Sequence, residues 1–288
     1  MVSQDILLRI ETQYRRSPGR NVSRRFDFSA IARDCVSEPR AREELQRLAG
    51  VVGQDLRNKK MLEIGSGYGM VLVVARREFG IEAFGVEPAE QFEGTYATCV
   101  SILREIGIPE SIVKQGHGEN IPYEDGYFDI VYSSNVIEHV KDPVRVFLES
   151  LRVLRPGGYM VSVIPNYGSW WEGHYGLLMP PGCPKWLFKI IVSIAGRDAL
   201  FVDTLNFITF RKLRKLLRPI EEKIEVLDFG QRLWIERLRT LSFSEWAELG
   251  KLKKLLRPVH YLKLTEPVIL LGKLLHWETP FVLVARKK

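Results

Sequence analysis

Between Met61 and Ile164 the apolar residues fall in blocks whose period alternates. Met61–Ile64, Ala83–Val86, Ile112–Gln115, Phe128–Tyr132 and Tyr159–Ile164 are short, largely apolar runs, as expected of buried strands. Val71–Phe79, Phe92–Ile106 and Pro143–Leu154 lie between them at helical spacing, and Arg155-Pro156-Gly157-Gly158 stops the last. Strands this short and apolar, separated by helices, predict an α/β fold with a parallel sheet covered on both faces. Upstream, Leu45, Leu48, Val51 and Val52 place a helix over Glu38–Val52, within an Arg-rich helical segment 1–60. The core is expected over 61–165.

Past Pro165 the rhythm breaks. Residues 166–208 are rich in Trp, Pro and Gly. Thr209–Leu217 reads as a basic helix, Lys223–Asp228 as a sixth strand, and Gln231–Leu275 as mostly helical with breaks near Gly250 and Pro258. Phe281–Ala285 reads as a last strand. Segment 166–288 thus completes the sheet while carrying two long inserts, 166–208 and 231–275, of the kind that form lids over sites. In the first, Lys185, Lys189, Ser193 and Arg197 recur every four residues as a polar stripe on an otherwise apolar helix. That pattern suits a buried lid helix, a membrane interface or a dimer surface.

Charge sharpens this division. The net +7 of the 288 residues is split into +5 over 1–60, −6 over 61–199 and +8 over 200–288. The basic ends could be solvated helix faces or could meet an anionic surface. FRKLRKLLRP and GKLKKLLRPVHYLKL are basic and amphipathic, which anionic lipid would attract. Nucleic acid ranks low as a partner, because no recognised module or stacking platform accompanies the charge. Cys35, Cys99 and Cys183 are far apart, so neither a disulfide framework nor a zinc pattern is supported. The N-terminus lacks a signal-peptide core and no long apolar run spans a membrane. The expected place is the cytoplasm, with a peripheral position on the inner face of the membrane as the alternative.

The chemistry concentrates in MLEIGSGYGM, residues 61–70. A strand ends in Glu63 and Ile64, and Gly65, Gly67 and Gly69 follow at every second position, with Ser66 and Tyr68 between. Glycines let the backbone turn at positive φ and admit a ligand to the main chain. A dinucleotide loop would place its third glycine where Met70 stands. Glu63 would repel a pyrophosphate and attract a cation, which favours S-adenosylmethionine over NAD. Glu87, 22 residues after Gly65 at the end of the second strand, is placed to accept from ribose hydroxyls.

LEIGSGYG, GVEP, GHGENIPYEDGYFDIVYSSNVIEHV and LRVLRPGGYMVSVIPN, in this order and spacing, resemble the class I S-adenosylmethionine-dependent methyltransferases, in their type 11 (UbiE/UbiG-like) group. The resemblance covers about 60–165. It implies a Rossmann-like, seven-stranded, mostly parallel sheet in the order 3-2-1-4-5-7-6, the last strand antiparallel, with helices on both faces and here a helical lid. It further implies that Glu63 and the Gly65–Gly69 backbone hold the methionine end and Glu87 the ribose. His117, Gly118 and Glu119 would lie at the adenine, where the family commonly has Asp-Ala. Ser134, Asn135 and Val136 would face the transferred methyl.

Methyl transfer needs a nucleophile held in line, and a hydroxyl nucleophile also needs a base. His174 follows the fifth strand and His139 the fourth; each could supply that base, and each could equally be a packed or hydrogen-bonding residue. Asn166, Trp170, Trp171, Glu172 and Tyr175 emerge beside His174 as candidate acceptor-binding residues. The expected activity is methylation of a small or lipid-linked acceptor, with oxygen slightly favoured. The competing readings are a non-catalytic scaffold that binds a membrane or partner, and an NAD-dependent oxidoreductase.

Overall fold

The computed structural model describes residues 2–17, 27–88, 94–241 and 249–288. The central sheet comprises β1 (Lys60–Ile64), β2 (Glu82–Glu87), β3 (Val113–Gln115), β4 (Phe128–Ser134), β5 (Leu154–Ile164), β8 (Ile224–Asp228) and β9 (Phe281–Lys287). Their order is β3-β2-β1-β4-β5-β9-β8. Strands β1 to β5 pair in parallel, and β9 runs antiparallel to both β5 and β8. The last strand therefore inserts between the fifth and the one before it, as the resemblance implies.

The alternation along each strand explains the burial on both faces. Met61 of β1 joins the cluster of Leu72, Val73, Cys99 and Ile130 on one face, while Leu62 and Ile64 join that of Phe128, Phe147 and Leu213 on the other. The first face is covered by α3 (Glu38–Val52), α4 (Met70–Glu78) and α5 (Thr95–Ile106). The second is covered by α6 (Pro143–Val153) and α9 (Phe210–Leu217), which turns Leu213 and Leu217 inward and its basic residues outward. Local chemistry sets the boundaries: Ser37, Asp142 and Thr209 each accept a main-chain N–H three residues on, capping α3, α6 and α9. The start expected for the helix at Phe92 lies outside the described residues.

Two segments differ from the sequence reading. Arg155–Gly158 ends α6 but does not form a loop: it already belongs to β5, with Gly157 at φ +75° where the register with β4 shifts. Residues 171–178 form a small hairpin of β6 (Trp171–Glu172) and β7 (Leu177–Leu178). Beyond it, α7 (Lys185–Ile194) and α8 (Phe201–Thr204) share a satellite core of Tyr167, Tyr175, Phe188 and Val202. The later insert holds α10 (Gln231–Thr240), α11 (Leu249–Tyr261) and α12 (Thr265–Leu275). Helix α11 continues through Pro258, where a break was expected. At the other end, α1 (Gln4–Arg16) and α2 (Phe28–Cys35) precede α3.

On α7 the polar stripe flanks the buried edge of Phe188 and Val192, with Ser193 exposed and the two lysines and Arg197 only partly so. Lys189 pairs with Asp203 at 2.5 Å, Lys185 donates to the Asp203 carbonyl, and Arg197 keeps two guanidinium nitrogens buried. The outward face is instead apolar, with Trp186 65%, Ile190 48% and Ile194 80% exposed. Among the described residues no helix is long and apolar enough to cross a membrane.

Candidate active site

The carboxyl ends of β1, β2 and β4 open onto a cavity of about 690 Å³. Gly65, Gly67, Tyr68, Glu87, His117, Gly118, Glu119, Ser134, Asn135, Val136 and His139 line it, so most of the expected cofactor residues are brought together. The glycines do different work. Gly69 caps α4 at φ +80°, and a Cβ there would stand 2.7 Å from Cys99 Sγ. Gly65 sits at φ +71° with its Cβ position 2.5 Å from Val136 Cγ2. Gly67, at φ +54°, has nothing among the described residues within 4 Å of its Cβ position, so this glycine leaves room for a ligand. Gly118 is confined: a Cβ would meet Ile64 at 2.9 Å.

The acidic residues carry the electrostatics. Glu87 accepts from the Gly67 main-chain N–H at 2.8 Å. Burial pushes its carboxyl up to about 7, against the pull of that hydrogen bond. Glu63 is buried with Oε2 unpartnered among the described residues, and burial, then Glu44 and Glu87, raise it well above the usual carboxylate range. A buried, unpaired carboxylate beside two others is an arrangement that a cationic ligand group relieves. Ser66 is turned away from the cavity, its Oγ buried beneath Gly85. Glu119 lines the cavity, but its carboxylate accepts from the N–H groups of Lys141 and Asp142, holding the next loop.

Part of the cavity wall has no counterpart in the sequence reading. Gln13 and Tyr14 of α1 roof the cavity, with Thr95, Asn120 and Lys141 at its sides. Gln13 accepts from Tyr68 Oη at 3.0 Å and donates to Thr98 Oγ1 at 2.9 Å, tying the roof to the glycine loop and to α5. An amphipathic N-terminal helix announces that it will pack, not what it will cover.

A second cavity, of about 1080 Å³, lies against the sheet between α3 and α10. Its floor is Tyr132, Val161, Val163, Val282 and Val284. Trp170, Trp171, Trp234 and Trp277 supply aromatic walls, and Trp170 meets Trp277 edge to face at 5.6 Å. Glu43, Glu44, Arg47 and Arg237 give it polar groups, Glu44 also accepting from Tyr132 Oη at 2.5 Å. Ser134 and Asn135 line both cavities, so the two meet at the end of β4.

His139 faces the first cavity and His174 the second, and their rings meet edge to face at 5.3 Å. His174 stands in the β6–β7 turn, its Nδ1 2.7 Å from Glu172 Oε1. Burial pushes His174 down, but Glu172 and Glu138 together outweigh it and the net shift is upward. Burial, then His174, pushes His139 down to about 3. Glu138, between them, is fully buried with neither carboxylate oxygen partnered among the described residues. Burial raises it to about 7, His174 opposing. Three expected acceptor residues stand outside both cavities. Asn166 spends its amide on the carbonyls of His276 and Glu278, and Tyr175 donates to the Asp198 carbonyl within the satellite core. Glu172 sits behind His174 and orients it. Trp170 and Trp171 do line the second cavity.

A glycine-loop cavity at the carboxyl ends of a 3-2-1-4-5 sheet whose final strand is antiparallel defines a nucleoside-cofactor enzyme class, and comparison with known proteins specifies it. Residues 62–162 match the family model described as "Methyltransferase domain", so this segment carries a class I S-adenosylmethionine-dependent methyltransferase domain. The chain is 33% identical over 104 residues to norajmaline N-methyltransferase of Rauvolfia serpentina, covering 36% of this chain and 35% of that one. With sarcosine/dimethylglycine N-methyltransferase of Halorhodospira halochloris it shares 28% over 174 residues, 60% of this chain and 59% of the relative. The chain thus spans about a third of the first relative's length and under two thirds of the second's. The fold aligns over 99% of both chains, with a TM-score of 0.53 and 17% identity, with a Galdieria sulphuraria protein provisionally assigned as a sarcosine dimethylglycine methyltransferase. Haemonchus contortus phosphoethanolamine N-methyltransferase 2, bound to phosphomonomethylethanolamine and S-adenosylhomocysteine, aligns at a TM-score of 0.51 and 19% identity, over 86% of this chain and 52% of that one.

Proposed function

We propose that the chain transfers the methyl group of S-adenosylmethionine to a small-molecule acceptor held in the larger cavity. The observation that carries this reading is the meeting of the two cavities at Ser134 and Asn135. One cavity has the family's glycine loop and acidic ribose position, and the other has the size and aromatic lining of a small-molecule site.

In this reading Glu63 answers the cationic methionine end, the open space at Gly67 admits it, and Glu87 accepts from the ribose hydroxyls. His117 and the Gly118 backbone flank the adenine. The cofactor supplies an activated methyl on a sulfonium, a leaving group good enough that positioning dominates the rate. Ser134, Asn135 and Val136 form the wall past which the acceptor's nucleophile reaches that methyl. The α1 roof keeps water from the cofactor, and Trp170, Trp171, Trp234 and Trp277 hold the acceptor's body. His139, on the wall of the first cavity, and His174, on that of the second, are assigned to the nucleophile's side.

The relatives named above methylate nitrogen, and tryptophans interleaved with Glu43 and Glu44 suit a cationic amine. The oxygen acceptor expected from the histidines has only them in its favour, so amines come first in the search. The test is release of S-adenosylhomocysteine from S-adenosylmethionine in the presence of amine and phenol panels, with product mass as the second readout. Substrate-dependent release with a gain of one methyl is expected. S-adenosylmethionine failing to bind in calorimetry would overturn the assignment.

A further inference from the structure

We propose that Glu138, His139 and His174 form a binding site for one divalent transition-metal ion, at the junction of the cofactor and acceptor cavities. Nitrogens of both imidazoles face one carboxylate. His139 Nε2 is 3.8 Å and His174 Nε2 3.9 Å from Glu138 Oε1, and one ligand atom from each residue lies within 4.8 Å of the others. Ligands around an ion at roughly 2.0–2.2 Å stand about 3.0–3.6 Å apart, so side-chain movements of about 1 Å close the set.

Glu138 is the independent observation. It is completely buried, its carboxylate oxygens have no hydrogen-bond partner among the described residues beyond the pull of its own main-chain N–H, and among those residues no lysine or arginine pairs with it. A carboxylate left so is costly unless something compensates it. Its backbone is firmly held: the Asn206 N–H donates to the Glu138 carbonyl at 2.6 Å, and Asn206 Nδ2 donates to that of Val140 at 2.7 Å. The loop that carries Glu138 is thus fixed at its main chain.

The surroundings complete a metal-site pattern. Glu172 Oε1, 2.7 Å from His174 Nδ1, holds that ring with Nε2 toward Glu138, and Glu172 Oε2 in turn accepts from the Tyr175 N–H at 2.7 Å. A carboxylate behind a ligating histidine orients the ring and raises its donor strength. Phe201 packs on both rings and shields the far side. Two imidazoles and one carboxylate suit zinc, iron(II) or cobalt(II) rather than magnesium or calcium, and leave coordination positions open. Because His139 lines one cavity and His174 the other, those positions face the junction, where an oxygen or nitrogen donor of the acceptor would bind. That last role rests on the proposed methyl transfer; metal binding itself does not.

The test uses the full chain, stripped with chelator and titrated with cobalt(II) and then zinc. The expected result is one equivalent bound, with visible cobalt absorption that zinc abolishes. Glu138→Gln and, separately, His174→Ala should each weaken zinc at least 100-fold, and Glu172→Gln 10- to 100-fold. Both ligand variants are also titrated with S-adenosylmethionine: retained binding shows that the fold stands, so their metal result is decisive. His174→Ala, in the short β6–β7 hairpin rather than the sheet, keeps the test open should Glu138→Gln unfold. No cobalt spectrum in the wild-type chain, or equal zinc affinity in wild type and a folded variant, overturns the proposal. Metal binding without S-adenosylmethionine binding would sink the methyltransferase reading and leave the metal site standing.

Discussion

Replacing Gly67 with alanine separates a glycine kept for the ligand from one kept for the fold. At φ +54° an alanine costs about 1–2 kcal/mol of backbone strain. The new methyl meets no atom of the described residues within 4 Å, so they add no packing cost. In a domain of this size the melting temperature should fall by about 2–4 °C per kcal/mol. Gly65→Ala carries the same strain and also drives a Cβ to 2.5 Å from Val136 Cγ2, an overpacking cost of about 1–3 kcal/mol more. Ligand binding should sort the pair further. S-adenosylmethionine at 100 times its Kd should stabilise the wild-type chain by about 2.7 kcal/mol. Gly67→Ala fills the space proposed for the methionine end, and a tenfold or greater weakening removes about 1.4 kcal/mol or more of binding energy. Scanning fluorimetry with and without cofactor, calibrated by calorimetry, reads both quantities. A Gly67→Ala protein that melts slightly early yet keeps the full cofactor-induced shift would refute the assignment of that space.

Two further outcomes are expected. Glu87 titrates near 7 because burial disfavours its charged form, so the ionised acceptor of ribose hydroxyls is depleted below that pH. Cofactor affinity should fall about tenfold per pH unit below 7 and level off above it, and calorimetry on Glu87→Gln should find that slope gone. The stability sign is opposite: the unfolded side chain ionises near the ordinary carboxylate value of 4.5, so this group's contribution is lost as pH rises from there through 7, a difference readable as wild type minus Glu87→Gln in urea melts. Flotation with anionic vesicles should depend on Trp186, Ile190 and Ile194; a Trp186→Ser/Ile190→Ser/Ile194→Ser variant that floats like wild type removes α7 as the contact.

What could be read from the sequence was whatever local periodicity and glycine spacing encode. Met61–Ile64, Glu87 and the Gly65–Gly69 loop needed only a strand, a turn and a helix, and the place of Phe281–Ala285 inside the sheet came with the family resemblance. The hairpin was not legible, because β6 and β7 are two residues each, too short for alternation to register. Without it His174 could not be set facing Glu138, a residue that the sequence does not single out. The stripe of Lys185 and Lys189 left burial, membrane contact and a dimer surface open for a related reason: helical spacing places residues on one face, but Asp203, further along the chain, decides what the two lysines meet. Gln13 lies 55 residues before Tyr68, and no local pattern spans that distance.

The roof over the cofactor cavity is a helix packed on α2 and α5. Helix α1 buries Ile6 and Ile10, with Leu7 and Tyr14 packed beside them, and its polar ties include the Gln13 pair, the Ser3 N–H on Glu105 and the Cys35 thiol on Tyr14 Oη. A helix held by side chains, with no strand pairing, opens locally without the sheet beneath it unfolding. Exchange of spent for fresh cofactor then becomes a matter of local opening, and the N-terminal helix a clock for turnover: amide exchange in residues 4–16 should slow when S-adenosylhomocysteine is present, and loosening Gln13 should speed product release while weakening cofactor retention.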